Sequence, residues 1–230
     1  MIAVGFDFDH TLGIDNKLER TAFVQIAAAY AQADGYMPDD AKSANAIEAA
    51  LAKFRGGRLC VEAALDEAFS VVFGHHHAQA VEDFRDLAIA MVPRYVEALP
   101  GVREMLVCLD ENSMRRAVLT NGWSPLQETK AAAVGEFSAV LVSERIGHRK
   151  PFPEAFFHLM DALQTDASDI WFVGDDPVSD IGGALSVGMT AVWFNWEERP
   201  YPAELPPPSH TIAHMDELAA LLLCHERSTL

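Results

Sequence analysis

The chain has 230 residues, half of them hydrophobic, with 34 acidic against 17 basic side chains and a formal net charge of −17. That length allows one large domain, or a domain with a smaller one inserted; the acidity argues against nucleic acid or an anionic membrane surface as a partner, so any anion site must bring its own local positive charge. Cys60, Cys108 and Cys224 are scattered, which disfavours a disulfide framework or structural zinc and favours a reducing compartment, and with no bilayer-length apolar run and no basic leader before the first strand-like segment a cytoplasmic location is expected.

The opening segment, Ile2 to Leu12, is an apolar strand-like run that ends in Asp7 and Asp9, with Thr11 beyond. Strand alternation puts Asp7 and Asp9 on one side of the chain and Phe6 and Phe8 on the other. Two carboxylates there repel unless a cation or a shared proton relieves them. Helical patterning follows. Glu19 to Ala33 carries Phe23, Ile26, Ala27 and Tyr30 on one stripe, and Asp34-Gly35 ends it. Pro38-Asp39-Asp40 opens a second helix running to about Phe54, and Gly56-Gly57 breaks the pattern. A third helix spans Val61 to Val72, with Leu65, Phe69 and Val72 as its buried face, and stops at Gly74. The fourth covers Ala78 to Met91. His75-His76-His77 reads as a polar loop opening that helix, a transition-metal role being the alternative. Lys17, Lys42 and Lys53 read as solvated charges.

From Pro100 the pattern alternates. Val102 to Leu109 is a helix, and Arg116 to Leu119 a strand ending in Thr120-Asn121-Gly122. A helix runs from there to Val134. Ala139 to Val142 is a strand and Pro153 to Leu163 a helix. Ile170 to Val173 is a strand ending in Gly174-Asp175-Asp176. Val178 to Val187 is helical, Thr190 to Phe194 a strand, Arg199 to Ser209 irregular, and Asp216 to Cys224 a final helix. Such alternation means a parallel sheet covered on both faces. The first strand belongs to this part, because a lone strand does not stand beside four helices. The expected class is therefore α/β: a Rossmann-like parallel-sheet core over residues 1–14 and 95–230, with an all-helical cap inserted at 15–94. Ligands of open α/β sheets bind beyond the C-terminal strand ends, where Asp7/Asp9, Thr120/Asn121 and Asp175/Asp176/Asp180 cluster, and the insert leaves from the same rim, placed as a lid.

Singly, each cluster has a plain reading: Thr120-Asn121-Gly122 as a strand-to-helix turn, Lys150 as a surface lysine, Asp175 or Asp176 as a helix cap. Together they resemble the haloacid dehalogenase-like hydrolase superfamily, whose four motifs stand in order as Asp7-Phe8-Asp9-His10-Thr11-Leu12, Val118-Leu119-Thr120 with Asn121-Gly122, Lys150-Pro151, and Gly174-Asp175 with Asp180. The helical insert resembles the cap of its phosphoglycolate phosphatase-like branch. The resemblance implies Asp7 as the nucleophile that forms an aspartyl-phosphate, and Asp9 as the acid/base that protonates the leaving oxygen and then takes a proton from water. It implies Mg²⁺ held by the Asp7 carboxylate, the Asp9 carbonyl and Asp175, oxygen ligands that suit a hard cation, with Asp180 acting through water or behind these ligands. Thr120 and the Asn121 amide would hold the phosphoryl oxygens, and Lys150 would neutralise charge between Asp7 and the phosphate. Many members carry glycine where this chain has His10, a residue at the hinge or against substrate.

Asp9 separates the branches, since members that cleave carbon–halogen bonds lack this second aspartate. The expected activity is hydrolysis of a small soluble phosphorylated metabolite, with Mg²⁺ as cofactor and no nucleic-acid or membrane partner. A phosphomutase shares the same motifs, and a silent binding module on the same fold is the reading from another class. Arg55 and Arg58, at the break between cap helices, are candidates for contacting an anionic leaving group. Trp123, Trp193 and Trp196 fall near strand ends, as core packing or as walls of the site. Oligomeric state is not set by any of these patterns.

Overall fold

The computed structural model describes residues 2–33 and 39–228, so the helix stop at Asp34-Gly35 and the helix opening at Pro38 lie outside the described residues. Contacts divide the chain into two units, Met1–Ile14 with Glu97–Leu230, and Asp15–Val96.

The first unit opens with β1 (Ala3–Phe6) and β2 (Gly13–Ile14). The second unit consists, among the described residues, of α1 (Leu18–Ala33), α2 (Asp40–Arg55), α3 (Val61–Phe73) and α4 (Ala78–Tyr95). Asp39 opens α2 by accepting hydrogen bonds from the Ala41 and Lys42 amides, which satisfies donors that a helix start leaves unpaired. His77 does the same for α4, its Nδ1 accepting from the Ala80 amide at 3.2 Å. The His75–His77 run thus contains a helix cap, and His76 pairs with Asp66. Helix α4 continues past Met91 through Pro93 to Tyr95, buried Met91 and Val92 holding the turn whose N–H Pro93 lacks. The centre of this unit is aromatic. Phe23 stacks on Phe69 with ring centroids 4.3 Å apart and meets Phe84 edge-on at 6.3 Å.

The chain returns to the first unit through β3 (Glu97–Ala98), which pairs antiparallel with β2. It then runs through α5 (Val102–Glu111), β4 (Arg115–Thr120), α6 (Leu126–Val134), β5 (Ala139–Val142), α7 (Ser143–Ile146), α8 (Pro153–Leu163), β6 (Ile170–Gly174), α9 (Gly183–Ser186), β7 (Thr190–Phe194), β8 (His210–Ile212) and α10 (Met215–Ser228). The main sheet has the order β5-β4-β1-β6-β7-β8, with every pairing parallel. This is the α/β parallel sheet that the alternating pattern predicts. Strand β1 lies at its centre, buried along its length, which explains an apolar run without polar interruption. Beneath one face, Ala3, Leu119, Phe156, Leu159, Phe172 and Ala191 belong to one buried cluster.

Strand β8, the β2–β3 pair and the one-turn α7 have no counterpart in the predicted elements, and residues 178–187 do not form one helix. A wide π-helical turn over Pro177–Gly182 precedes α9. Asp176 opens that turn by accepting from the Val178 and Ser179 amides. Among the described residues no helix is long and apolar enough to cross a membrane.

Candidate active site

The sheet order reverses at β1: β4 and β5 lie to one side, and β6, β7 and β8 to the other. The crevice at such a reversal, beyond the carboxyl ends of the strands, is where α/β sheets receive ligands. Three adjacent strands, β4, β1 and β6, deliver Thr120/Asn121, Asp7/Asp9 and Asp175 to it. The Asp7 amide donates to the Val173 carbonyl at 2.9 Å, so the ladder holds the backbone up to the first carboxylate.

Lys150 joins the groups around Asp7. Its Nζ donates to Asp7 Oδ1 at 2.6 Å and to Asp180 Oδ1 at 2.7 Å, and all three residues are buried. The Lys150 backbone is clasped in turn by Asn121, whose Oδ1 accepts from the Lys150 amide and whose Nδ2 donates to the Lys150 carbonyl, both at 2.9 Å. Asn121 therefore meets Lys150 through its side chain, while Thr120 lies buried beside it at the end of β4. Asp180 comes from the wide turn, its Oδ2 accepting from the Asp176 amide at 2.9 Å. A Cβ on Gly174 would fall 2.4 Å from the Cβ, Cγ and Oδ2 of Asp180, so only glycine at the end of β6 leaves room for that carboxylate.

Asp175 is held from the rim. Arg199 Nη2 donates to its Oδ2 at 3.0 Å and to its carbonyl at 3.1 Å, and Trp193 Nε1 donates to the same carbonyl at 2.9 Å. Carboxylate oxygens of Asp7, Asp175 and Asp180 lie within 4.8 Å of one another. Burial raises the Asp7 pKa well above the usual carboxylate range; Lys150 opposes the rise, and the charges of Asp180 and Asp175 add to it. Burial and then Asp180 push Asp175 up to about 6, against the pull of Arg199. Burial disfavours the Lys150 charge, yet Asp180 and Asp7 outweigh it and hold the ammonium form above its ordinary pKa. Three crowded carboxylates against one buried ammonium make an oxygen-rich, electron-rich corner. That donor set fits a hard divalent cation.

Asp9 is tied elsewhere. Its Oδ2 accepts from Gln127 Nε2 at 2.9 Å and its Oδ1 pairs with the Lys130 ammonium. His10 follows in a left-handed conformation, φ 63°, which glycine adopts freely and histidine at modest cost. It is exposed, its ring near-parallel to that of Trp196 at 6.4 Å between centroids. Trp123 and Trp193 are buried, and Trp196 is partly exposed. Of the two arginines in the helical unit, Arg55 donates to Glu19 Oε2 at 2.7 Å, and Arg58 is exposed on the turn after α2.

Three residues at the site have no place in the sequence reading: Gln127, Lys130 and Arg199. Gln127 and Lys130 share one helix face by their spacing of three, next to buried Leu126, Ala131 and Val134. A polar pair on a face that must also be buried is a readable signal. Arg199 stands in a proline-rich stretch without periodicity, and nothing local marks it.

A family model described as haloacid dehalogenase-like hydrolase matches residues 1–188. Among curated relatives, the glyceraldehyde 3-phosphate phosphatase of Pyrococcus abyssi is 35% identical over 106 residues, 44% of each chain. A pyrimidine 5′-nucleotidase of Escherichia coli is 32% identical over 131 residues, 55% of this chain and 57% of that one. The matches thus span about half the length of these relatives. A solved phosphatase structure from Thermococcus onnurineus superposes with a TM-score of 0.72 at 22% identity, over 96% of this chain and 98% of the other, a likeness of fold.

Proposed function

The chain belongs to the haloacid dehalogenase-like hydrolase family, and from that premise we propose that it is a Mg²⁺-dependent phosphatase that hydrolyses a small phosphate monoester through an aspartyl-phosphate. The observation that carries this is the buried Asp7 at the tip of the central strand, one oxygen held by Lys150, with Asp175 and Asp180 beside it. Two relatives that match the chain are themselves named as a phosphatase and a nucleotidase.

Lys150 fixes Asp7 Oδ1, so Oδ2 is the oxygen that attacks phosphorus. The P–O bond to the leaving group breaks as the Asp7 O–P bond forms, and Asp9 gives the departing oxygen its proton. A water then attacks the phosphorus of the aspartyl-phosphate, Asp9 takes the proton of that water, and inorganic phosphate leaves with Asp7 restored. Thr120 and the Asn121 amide bind phosphoryl oxygens. Lys150 keeps its charge throughout and offsets the negative charge that phosphate brings to a buried carboxylate. Asp7, Asp175 and the Asp9 carbonyl, with Asp180 beside them, would hold Mg²⁺, and the ion would supply the further neutralisation that phosphoryl transfer requires.

The helical unit is read as a cap, with Arg55 and Arg58 contributing to the choice of an anionic leaving group and His10 to its fit. A cytoplasmic site of action accords with Cys60, Cys108 and Cys224 forming no disulfide among the described residues. The test is release of inorganic phosphate from p-nitrophenyl phosphate with and without Mg²⁺, followed by a panel of sugar phosphates, phosphoglycolate and nucleoside monophosphates. Release from none of them refutes the assignment. Transfer of phosphate to a second sugar hydroxyl in place of water would make the enzyme a mutase. An unchanged substrate profile in the Arg55→Ala/Arg58→Ala variant removes the cap arginines from recognition.

A further inference from the structure

Asp7 and Asp9 stand two residues apart, yet the fold gives them different cations. Lys150 holds Asp7, and a second buried lysine, Lys130, holds Asp9. Lys130 is 1% exposed. A lysine on a helix normally carries its ammonium out to water, and burying one is tolerated only against a partner. Here the ammonium ends at Asp9 Oδ1, with the ring of Phe8, the residue between the two aspartates, 5.3 Å from Nζ. Gln127, one turn earlier on α6 and also buried, reaches Asp9 Oδ2. The second motif makes room for it: a Cβ on Gly122 would lie 2.5 Å from Gln127 Cγ and 2.6 Å from its Nε2. Both oxygens of Asp9 are therefore met from one helix face, while the Asp9 side chain itself remains 36% exposed.

We propose that Gln127 and Lys130 are positioning residues for Asp9, fixing the direction in which its carboxylate meets the leaving group, and that Gly122 is glycine so that Gln127 can cross to it. A carboxylate gripped at one oxygen still swings about its Cβ–Cγ bond; gripped at both it has one orientation, and proton transfer depends on orientation as much as on reach. The assignment rests on the phosphatase reading above, in which Asp9 is the acid/base. The hydrogen bonds that Lys150 gives to Asp7 and Asp180 involve neither residue.

The full-length protein, with saturating Mg²⁺, is compared as wild type, Lys130→Met and Gln127→Met on two esters. p-Nitrophenyl phosphate releases a stable phenolate that needs little help from an acid; β-glycerophosphate releases an alkoxide that must be protonated as it leaves. Because kcat/KM reports only the steps through the first irreversible one, it isolates leaving-group departure. Misplacing Asp9 lowers kcat/KM on β-glycerophosphate by about 30-fold more than on p-nitrophenyl phosphate, a part of what general acid catalysis is worth. In an Asp9→Asn background the same substitutions add no further selective loss. An equal change on both esters in variants with wild-type circular dichroism overturns the positioning role, as does full additivity with Asp9→Asn. If Lys130→Met does not fold, Gln127→Met decides by the same ratio. Wild-type protein that releases phosphate from neither ester nor any member of the panel above overturns the phosphatase reading itself, a result distinct from an unchanged ratio; if only a panel alkyl phosphate is cleaved, that ester replaces β-glycerophosphate in the comparison.

Discussion

Replacing Lys150 by methionine removes a buried ammonium while keeping most of the volume of its side chain. The ammonium lies 2.6 Å from Asp7 Oδ1 and 2.7 Å from Asp180 Oδ1, and the carboxylate oxygens it separates, with that of Asp175, lie within 4.8 Å of one another. At an effective dielectric constant of about 20, two unit charges no farther apart than this 4.8 Å limit repel by at least about 3.5 kcal/mol. The variant escapes part of this by binding a proton, which near neutral pH costs about 4 kcal/mol for an ordinary carboxyl. The two routes agree on a loss of about 3–5 kcal/mol, the range seen when one partner of a buried pair is removed. The sign of the pH dependence follows. In the variant a folded-state carboxyl pKa lies above its unfolded value, so proton binding stabilises the fold at low pH and is lost as pH rises through the raised value. Wild type also takes up protons as pH falls, because Asp7 and Asp175 are already raised in it, so the gap should narrow by about 1.4 kcal/mol per pH unit for each proton that the variant binds beyond those of wild type. Urea unfolding followed by circular dichroism, in EDTA, at about pH 7 and about pH 5, measures both quantities. A loss under about 1 kcal/mol near neutral pH, or one that does not change over this interval, refutes the electrostatic account.

Asp7→Asn should abolish phosphate release while leaving the circular dichroism spectrum intact, since the amide fills the same space; turnover above about 1% of wild type would remove Asp7 as nucleophile. Gly174→Ala places a methyl group 2.4 Å from Asp180, so it should cost about 1–3 kcal/mol in urea unfolding and lower activity by displacing that carboxylate. Asp110→Asn takes the bidentate partner from buried Arg116, which it meets at 2.5 and 3.0 Å. Because Asp110 is itself largely exposed, the loss should be about 1 kcal/mol. Hydrogen bonds from Arg116 hold the Asp110 pKa below its usual value, so this contribution is complete above the ordinary carboxylate pKa and vanishes as pH falls through the lowered one. Wild type and variant should converge in acid, as thermal unfolding across pH can check. EDTA should stop phosphate release and added Mg²⁺ restore it.

Much of the core fold is legible in the chain because its signals are local. Apolar runs of strand length alternate with helical periodicity from Pro100 onward, and polar residues mark the C-terminal ends of β1, β4 and β6. The elements without such a local signal are two to four residues long: β2 with β3, β8 and α7. Their form comes from neighbours in space. Gly13–Ile14 is a strand because Glu97–Ala98 lies against it, and His210–Ile212 because β7 does. The 177–182 turn is helical in composition, but it winds as a wider coil that begins at the Asp176 cap and carries Asp180 inward.

The amino-acid sequence by itself determined which chemical groups the molecule owns and which strand tips they stand on, for period and turn chemistry act over a few residues. Only the tertiary structure decided which cation answers which carboxylate. Lys150 reaches Asp7 across 143 residues and Lys130 reaches Asp9 across 121, while Arg199 closes on Asp175 from a loop without pattern. Charge pairing acts through space, and a sheet ordered β5-β4-β1-β6-β7-β8 makes neighbours of segments that the chain keeps far apart.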